Sequence, residues 1–456
     1  MITTVLAFLF TLGVLVVVHE YGHYRVAVAC GVKVLRFSVG FGRVLWRRQR
    51  SADATEFVVC ALPLGGYVRM LDEREGEVAP HERHRAFNRQ PLLARAAIVL
   101  AGPLANLVLA VLLFAAAHWI GVQEPQAVLG GPVAGSPAER AGLRAGDWVR
   151  AVAPDGGDWH DVASLPDFGW QLTQAALHRQ TLQLQVSDRD GSHQRLLRLD
   201  LSGLTPAQVD SGLSRAIGLT GAYSAPVLGE VKPGGAAAAA GLRQGDRVRS
   251  IDGTAVADAT GLRERIRADL VAGRPVPQQW SVERDGRVMP LTVTPRPYRD
   301  GGALVGRIEA YVGGPPAMVT VRQGPIEGLR QGAARTWELS ALTVKMLGRM
   351  VVGQASLKNL SGPLTIADYA GQSVHQGLAY YLGFLALVSV SLGVINLMPL
   401  PMLDGGHLMY YIFEAVTRRP VSDLWLARLQ RGGIVVLLTM MSVALFNDVT
   451  RLLGLH

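Results

Sequence analysis

The sequence predicts a polytopic α-helical membrane protein with four spans and a duplicated module inserted between the second and the third. Three observations lead there. Apolar residues cluster in four stretches of spanning length, ligand-type residues sit inside two of them, and one ten-residue pattern recurs about a hundred residues on. Mean hydropathy is +0.23, and 49% of the 456 residues are hydrophobic against 18% charged. That balance suits a chain that is part membrane and part water-exposed rather than a cytosolic enzyme.

The apolar stretches run at about Thr3 to Cys30, Ala96 to Val122, Leu378 to Leu397 and Ile434 to Leu453, each near the ~20 residues that a bilayer crossing needs. The first lacks a basic leading region, and its small residues follow its histidines, so it reads as a retained helix and not a signal peptide. Basic residues from Lys33 to Arg95 place the loop 32–95 in the cytoplasm, and Arg418, Arg419, Arg428 and Arg431 do the same for a link at 405–432. Both termini and the long central region then fall on the far side. The net charge of +9 is therefore mainly a topology signal with a preference for the membrane surface. No basic stripe with interleaved aromatics supports nucleic-acid binding. Cys30 and Cys60 are the only cysteines, so the exported region must hold together without disulfides.

His19, Glu20 and His23 form H-E-x-x-H after seventeen almost wholly apolar residues, Ile2 to Val18. Ionisable groups are costly inside an apolar span and by default mark function. Helical spacing of i and i+4 puts both imidazoles on one face, where they can share a zinc ion, with Glu20 beside them as general base. The bland alternative is a helix end entering water with ordinary surface histidines. A catalytic zinc needs a third ligand and an open position. The best supplier is Asn396-Leu-Met-Pro399-Leu-Pro401-Met-Leu403-Asp404-Gly405-Gly406, where two prolines break the third span beside the carboxylate of Asp404. At ~1.5 Å per residue His19 lies about 24 Å deep counted from Thr3, and Met398 about 27 Å deep counted from Tyr380, so both motifs reach the same leaflet. Asp404 as a mere helix N-cap is the alternative. His407 is a weaker candidate for the third ligand.

The central repeat is Ala141-Gly-Leu-Arg-Ala-Gly-Asp147-Trp-Val-Arg150 against Ala240-Gly-Leu-Arg-Gln-Gly-Asp246-Arg-Val-Arg249. One copy has the size of a small domain, and the borders fall at 125–219 and 220–310. The pattern resembles bacterial PDZ domains, α+β modules in which an extended peptide adds to a sheet edge; the alternative is a pair that only spaces or shields the membrane part. The first copy is less regular around Asp155 to Phe168. After the second copy, the segment 320–370 contains Ile326 to Met350, whose apolar residues recur at mixed three and four spacing among Arg330, Arg335, Lys345 and Arg349. It reads as an amphipathic helix at the outer membrane surface, or one packed against the modules.

H-E-x-x-H in the first span together with N-x-x-P-x-P-x-L-D-G in the third resembles the site-2 proteases, membrane-embedded zinc metalloproteases. The order of parts is most similar to the RseP group, the regulator of sigma-E proteases of Gram-negative bacteria. Phe37-Ser-Val-Gly-Phe-Gly42, Pro63-Leu-Gly-Gly-Tyr67-Val68, Ala101-Gly-Pro103 with Asn106, Asn359-Leu-Ser-Gly-Pro363 and Phe446-Asn-Asp448 extend the match over nearly the whole chain. The resemblance implies four transmembrane helices (1–31, 96–122, 378–404, 433–453), a membrane-associated β-loop at 32–95 and two inserted PDZ-like domains. It implies Zn2+ held by His19, His23 and Asp404, with Glu20 as general base and acid. Asn396 would hold the substrate backbone, and an edge strand at Gly65, Gly66 and Tyr67 would pair with it; an ordinary cytoplasmic hairpin is the alternative for that segment. It also implies a bacterial inner membrane, periplasmic PDZ domains and termini, and single-span substrates: a membrane-bound anti-sigma factor and remnant signal peptides.

Overall fold

A computed structural model describes residues 2–51, 53–155, 157–204, 206–268, 270–271, 274–300, 303–352, 362–419 and 421–452. It separates into two compact units, Met1–Val122 with Arg322–His456, and Gln123–Val321.

Among the described residues of the first unit, four helices are long and apolar enough to cross a membrane: Ile2–Ala29, Leu92–Ile120, Leu378–Asn396 and Leu424–Thr450. The first two approach closely because Gly22 has no side chain, and a Cβ there would overlap the Ala101 carbonyl and Ala105. Small residues are the usual means of bringing helices together in lipid, where no hydrophobic driving force acts between them. The second and third helices share a core of Ala110, Phe114, Ala386, Val390 and Val394. At their crossing, Ser389 Oγ donates to the Asn106 carbonyl at 2.7 Å.

Two expectations change here. The segment expected at the outer surface is a helix, Pro325–Val351, that lies lengthwise on the second and third spans. Gly328 abuts Trp119, Gly332 abuts Val111 and Ala115, and Leu339 joins the core between those spans. Its smooth face is a run of small residues at four-residue spacing, Gly328, Gly332 and Thr336, and its exposed side carries Trp337 and Leu342. The stretch 405–432 is not a simple link: it holds the helix Asp404–Thr417 and the start of Asp423–Leu452. Apolar residues at helical spacing from Leu408 to Val416 account for the first of these. Asp448 is buried and accepts from the Gly362 and Leu364 N–H groups, each at 2.9 Å. It thereby caps the helix Pro363–Gln376. Asn359, Leu360 and Ser361 lie outside the described residues.

After the first helix come two strands, Val34–Arg48 and Glu56–Met70. Phe37 stands opposite both Phe57 and Val68, and Ser38 opposite both Val58 and Tyr67. The start of the first strand is thus flanked by 56–59 and by 66–70, while its end, Val44 to Arg48, borders 57–60. Residues 66–70 form a margin of this sheet. Phe41, Val44, Leu45, Trp46 and Leu62 are exposed elsewhere on the sheet.

The second unit repeats one architecture. Strand Trp148–Pro154 lies between His160–Asp161 and Thr181–Ser187, followed by Arg195–Asp200; Arg247–Ile251 lies between Thr254–Ala255 and Gln278–Arg284, followed by Arg287–Val293. In each copy the longest helix, Leu165–Leu177 or Ala259–Ala268, contributes to an apolar core. Segment borders shift slightly from expectation. An isolated bridge joins Leu129 to Ala222, and strand Ala310–Val312 pairs with Leu228–Val231, so the end of each copy returns to its own beginning. The repeated aspartates do matching work. Asp147 accepts the Arg144 N–H at 2.9 Å and Asp246 the Arg243 N–H at 2.8 Å, and each also pairs with an arginine, Arg195 or Arg284.

Candidate active site

One helical turn apart on the first span, His19 and His23 bring their Nε2 atoms to 3.2 Å. Asp404 comes from far along the chain. Its Oδ2 lies 3.2 Å from His19 Nε2 and 3.5 Å from His23 Nε2. Ligands around a tetrahedral zinc at 2.0–2.1 Å sit about 3.3 Å apart, so the three atoms have the spacing that such an ion requires. Both histidines are buried, at 9% exposure each. Crowding two imidazole nitrogens and a carboxylate in such a place is costly without a cation to share.

Tertiary structure aims each donor. His23 Nδ1 donates to the Ile98 carbonyl at 2.8 Å; a carbonyl only accepts, so this bond fixes the proton on Nδ1 and leaves the Nε2 lone pair inward. Gly102, one turn further along the second span, clears space: a Cβ there would overlap the His23 ring. Asp404 does not cap its helix. Leu403 is the N-cap residue and Asp404 stands in the first turn, with its side chain turned to the histidines. Behind it, Gly405 and Gly406 lie where a Cβ would strike the carbonyls of Met398 and Leu400. Two bare residues thus let the new helix fold tightly against the proline-broken segment. His407 is outside the cluster, which among the described residues comprises His19, His23 and Asp404; its ring faces Tyr410 instead.

The sheet reaches the same place. Glu20 lies beside the sheet's edge at Gly66, where a Cβ would be 3.2 Å from Glu20 Cγ, 3.0 Å from Val16 and overlapping the Ser38 carbonyl. Gly65 has φ +140°, a value that suits glycine, and Tyr67 stacks on Phe41 with ring centroids 6.1 Å apart. Asn396 ends the third helix, half-buried. Sequence reading gave no role to Ile98, Gly102 or Asn106. Their spacing of four along the second span, 98, 102 and 106, was the available signal. All three face the histidines, and Asn106 Nδ2 lies 3.2 Å from His19 Nδ1.

Comparison with known proteins shows the family. The pattern of Peptidase family M50 matches residues 7–440. A protein named as a zinc metalloprotease in Ralstonia nicotianae is 43% identical over 99% of both chains. Regulator of sigma-E protease RseP of Salmonella typhimurium is 39% identical, and that of Escherichia coli 38%, each over 98% of both chains. With a donor set spaced for zinc inside an apolar helix and similarity along the whole length, the chain belongs to peptidase family M50 and is a zinc metalloendopeptidase of the site-2 type.

Proposed function

We propose that this enzyme cuts peptide bonds within the membrane segments of single-span proteins, with His19, His23 and Asp404 holding zinc and Glu20 moving the proton. The observation that carries the reading is the meeting of three correctly spaced ligand atoms with Glu20 midway through an apolar helix. Zinc supplies Lewis acidity to the scissile carbonyl and to water. Glu20 takes the proton of the attacking water as the C–O bond forms and delivers it to the nitrogen as the C–N bond breaks.

A helical substrate has its amides locked in hydrogen bonds and must be opened before it can be cut. The sheet margin at Gly65, Gly66 and Tyr67 offers backbone groups for an extended segment, in the manner of strand addition. Gly66 sits against Glu20, so a strand added there passes the base. Asn396, whose side chain makes no hydrogen bond among the described residues, is placed to hold the substrate backbone. The central modules act as PDZ-like domains that exclude bulky partners on the far, periplasmic side of an inner membrane. Since relatives are named regulators of sigma-E, the substrates include a membrane-bound anti-sigma factor, together with remnant signal peptides.

A binding-only receptor is the rival reading. It leaves Glu20 without a purpose, because a structural zinc needs no base and prefers a closed four-ligand site. Glu20→Gln should keep zinc and fold while cutting a single-span reporter about 10²- to 10⁴-fold more slowly. Full-rate cleavage by the purified, zinc-replete variant would remove Glu20 from this role.

A further inference from the structure

The second span carries an asparagine that is wholly buried beside a histidine and leaves one of its own polar atoms unpaired. Asn106 has 0% exposure. Its Nδ2 lies 3.2 Å from His19 Nδ1, while its Oδ1 is buried with no partner. The first of these facts conflicts with a working site. If the amide donates to Nδ1, that nitrogen has no hydrogen, so His19 carries its proton on Nε2, pointed at His23 and Asp404, and cannot ligate. Turning the amide half a turn about its last bond exchanges two atoms of nearly equal size. Oδ1 then accepts the Nδ1–H of His19, and the Nε2 lone pair faces inward as it does in His23, while the NH2 group takes the position that the oxygen leaves.

We propose that Asn106 is a positioning residue for His19: its amide oxygen takes the Nδ1–H, fixes the tautomer and aims Nε2 at the metal. This rests on the reading of His19 as a zinc ligand. The main chain at Asn106 is anchored to the third span, which fixes where its side chain starts. Ser389 of the third span donates to the Asn106 carbonyl, and Gly102, one turn earlier, packs under the His23 ring. The second span thus serves both ligands from one face, Ile98 for His23 and Asn106 for His19. Outer-shell partners of this kind hold the ring direction and raise the basicity of the ligating nitrogen.

The test is zinc affinity of the full-length protein in detergent, measured by competition with a chromophoric chelator, with apo-protein thermal unfolding alongside. Asn106→Leu keeps the volume and lacks the acceptor, and it should bind zinc about 10- to 100-fold more weakly. Asn106→Asp keeps the acceptor and should stay within about threefold of the parent, a rescue that a mere packing role would not produce. Wild-type affinity in Asn106→Leu, or a tenfold loss in Asn106→Asp, overturns the proposal; if the leucine variant does not fold, the aspartate variant decides alone. His19→Ala is the control for the underlying reading: undiminished zinc binding there removes His19 as a ligand, whatever the Asn106 variants do.

Discussion

At the scale of single residues, the site depends on positions that contribute no chemistry. Gly102 is the sharpest case, because the space that any Cβ would take is already filled by the His23 ring. Gly102→Ala should therefore force the ring off its bond to Ile98 at an overpacking cost of about 1–3 kcal/mol. The expected result is a lower unfolding temperature together with weakened zinc binding; a variant with parental zinc affinity would show that the ring has room to spare. His19 and His23 are legible in sequence because both lie on one continuous helix, where spacing alone decides their direction. Ile98, Gly102 and Asn106 act across a helix pair, and no local pattern records which face of the second span meets which face of the first.

At the scale of elements, the same distinction separates what sequence reading supplied from what it missed. Apolar length marks the four spans, and the two prolines mark the break before Asp404. The course of Pro325–Val351 was not legible from its amphipathic pattern, which suits a membrane surface equally well; its run of Gly328, Gly332 and Thr336 decides for lengthwise packing. In the duplicated modules, one motif leads to two electrostatic outcomes. Burial raises the Asp147 carboxyl above its ordinary range against the pull of the Arg144 N–H and Arg195. Burial pushes Asp246 upward too, but two bonds from Arg284, at 2.6 and 2.7 Å, and the Arg243 N–H outweigh it and leave the carboxyl lowered. A lowered carboxyl stabilises the fold above its unfolded value near ~3.9, and that contribution fades as pH falls through the folded value. Arg284→Ala strands a fully buried charge and should cost the second module about 3–5 kcal/mol at neutral pH. Hydrogen exchange of strand Gln278–Arg284 would register this, with the gap to the parent narrowing below about pH 4. A gap independent of pH would mean that Arg284 acts by packing alone.

At the scale of the whole molecule, the two units divide the work. The helical unit holds all the residues assigned to chemistry, and Gln123–Val321 holds none of them. Replacing Gln123–Val321 by a short flexible linker should leave cleavage of a small single-span reporter within a few-fold while admitting reporters with bulky outer domains that the parent rejects. Complete loss of cleavage in a well-folded deletion would make the modules part of the catalytic machine. The proposed chemistry depends on one meeting point, where a carboxylate after a broken helix joins two imidazoles of the first span. Anomalous diffraction at the zinc edge from crystals of the zinc-replete protein addresses it directly. The expected map has one peak about 2.0–2.2 Å from His19 Nε2, His23 Nε2 and an Asp404 oxygen. A zinc peak bound elsewhere, with Asp404 out of bonding reach, would contradict it.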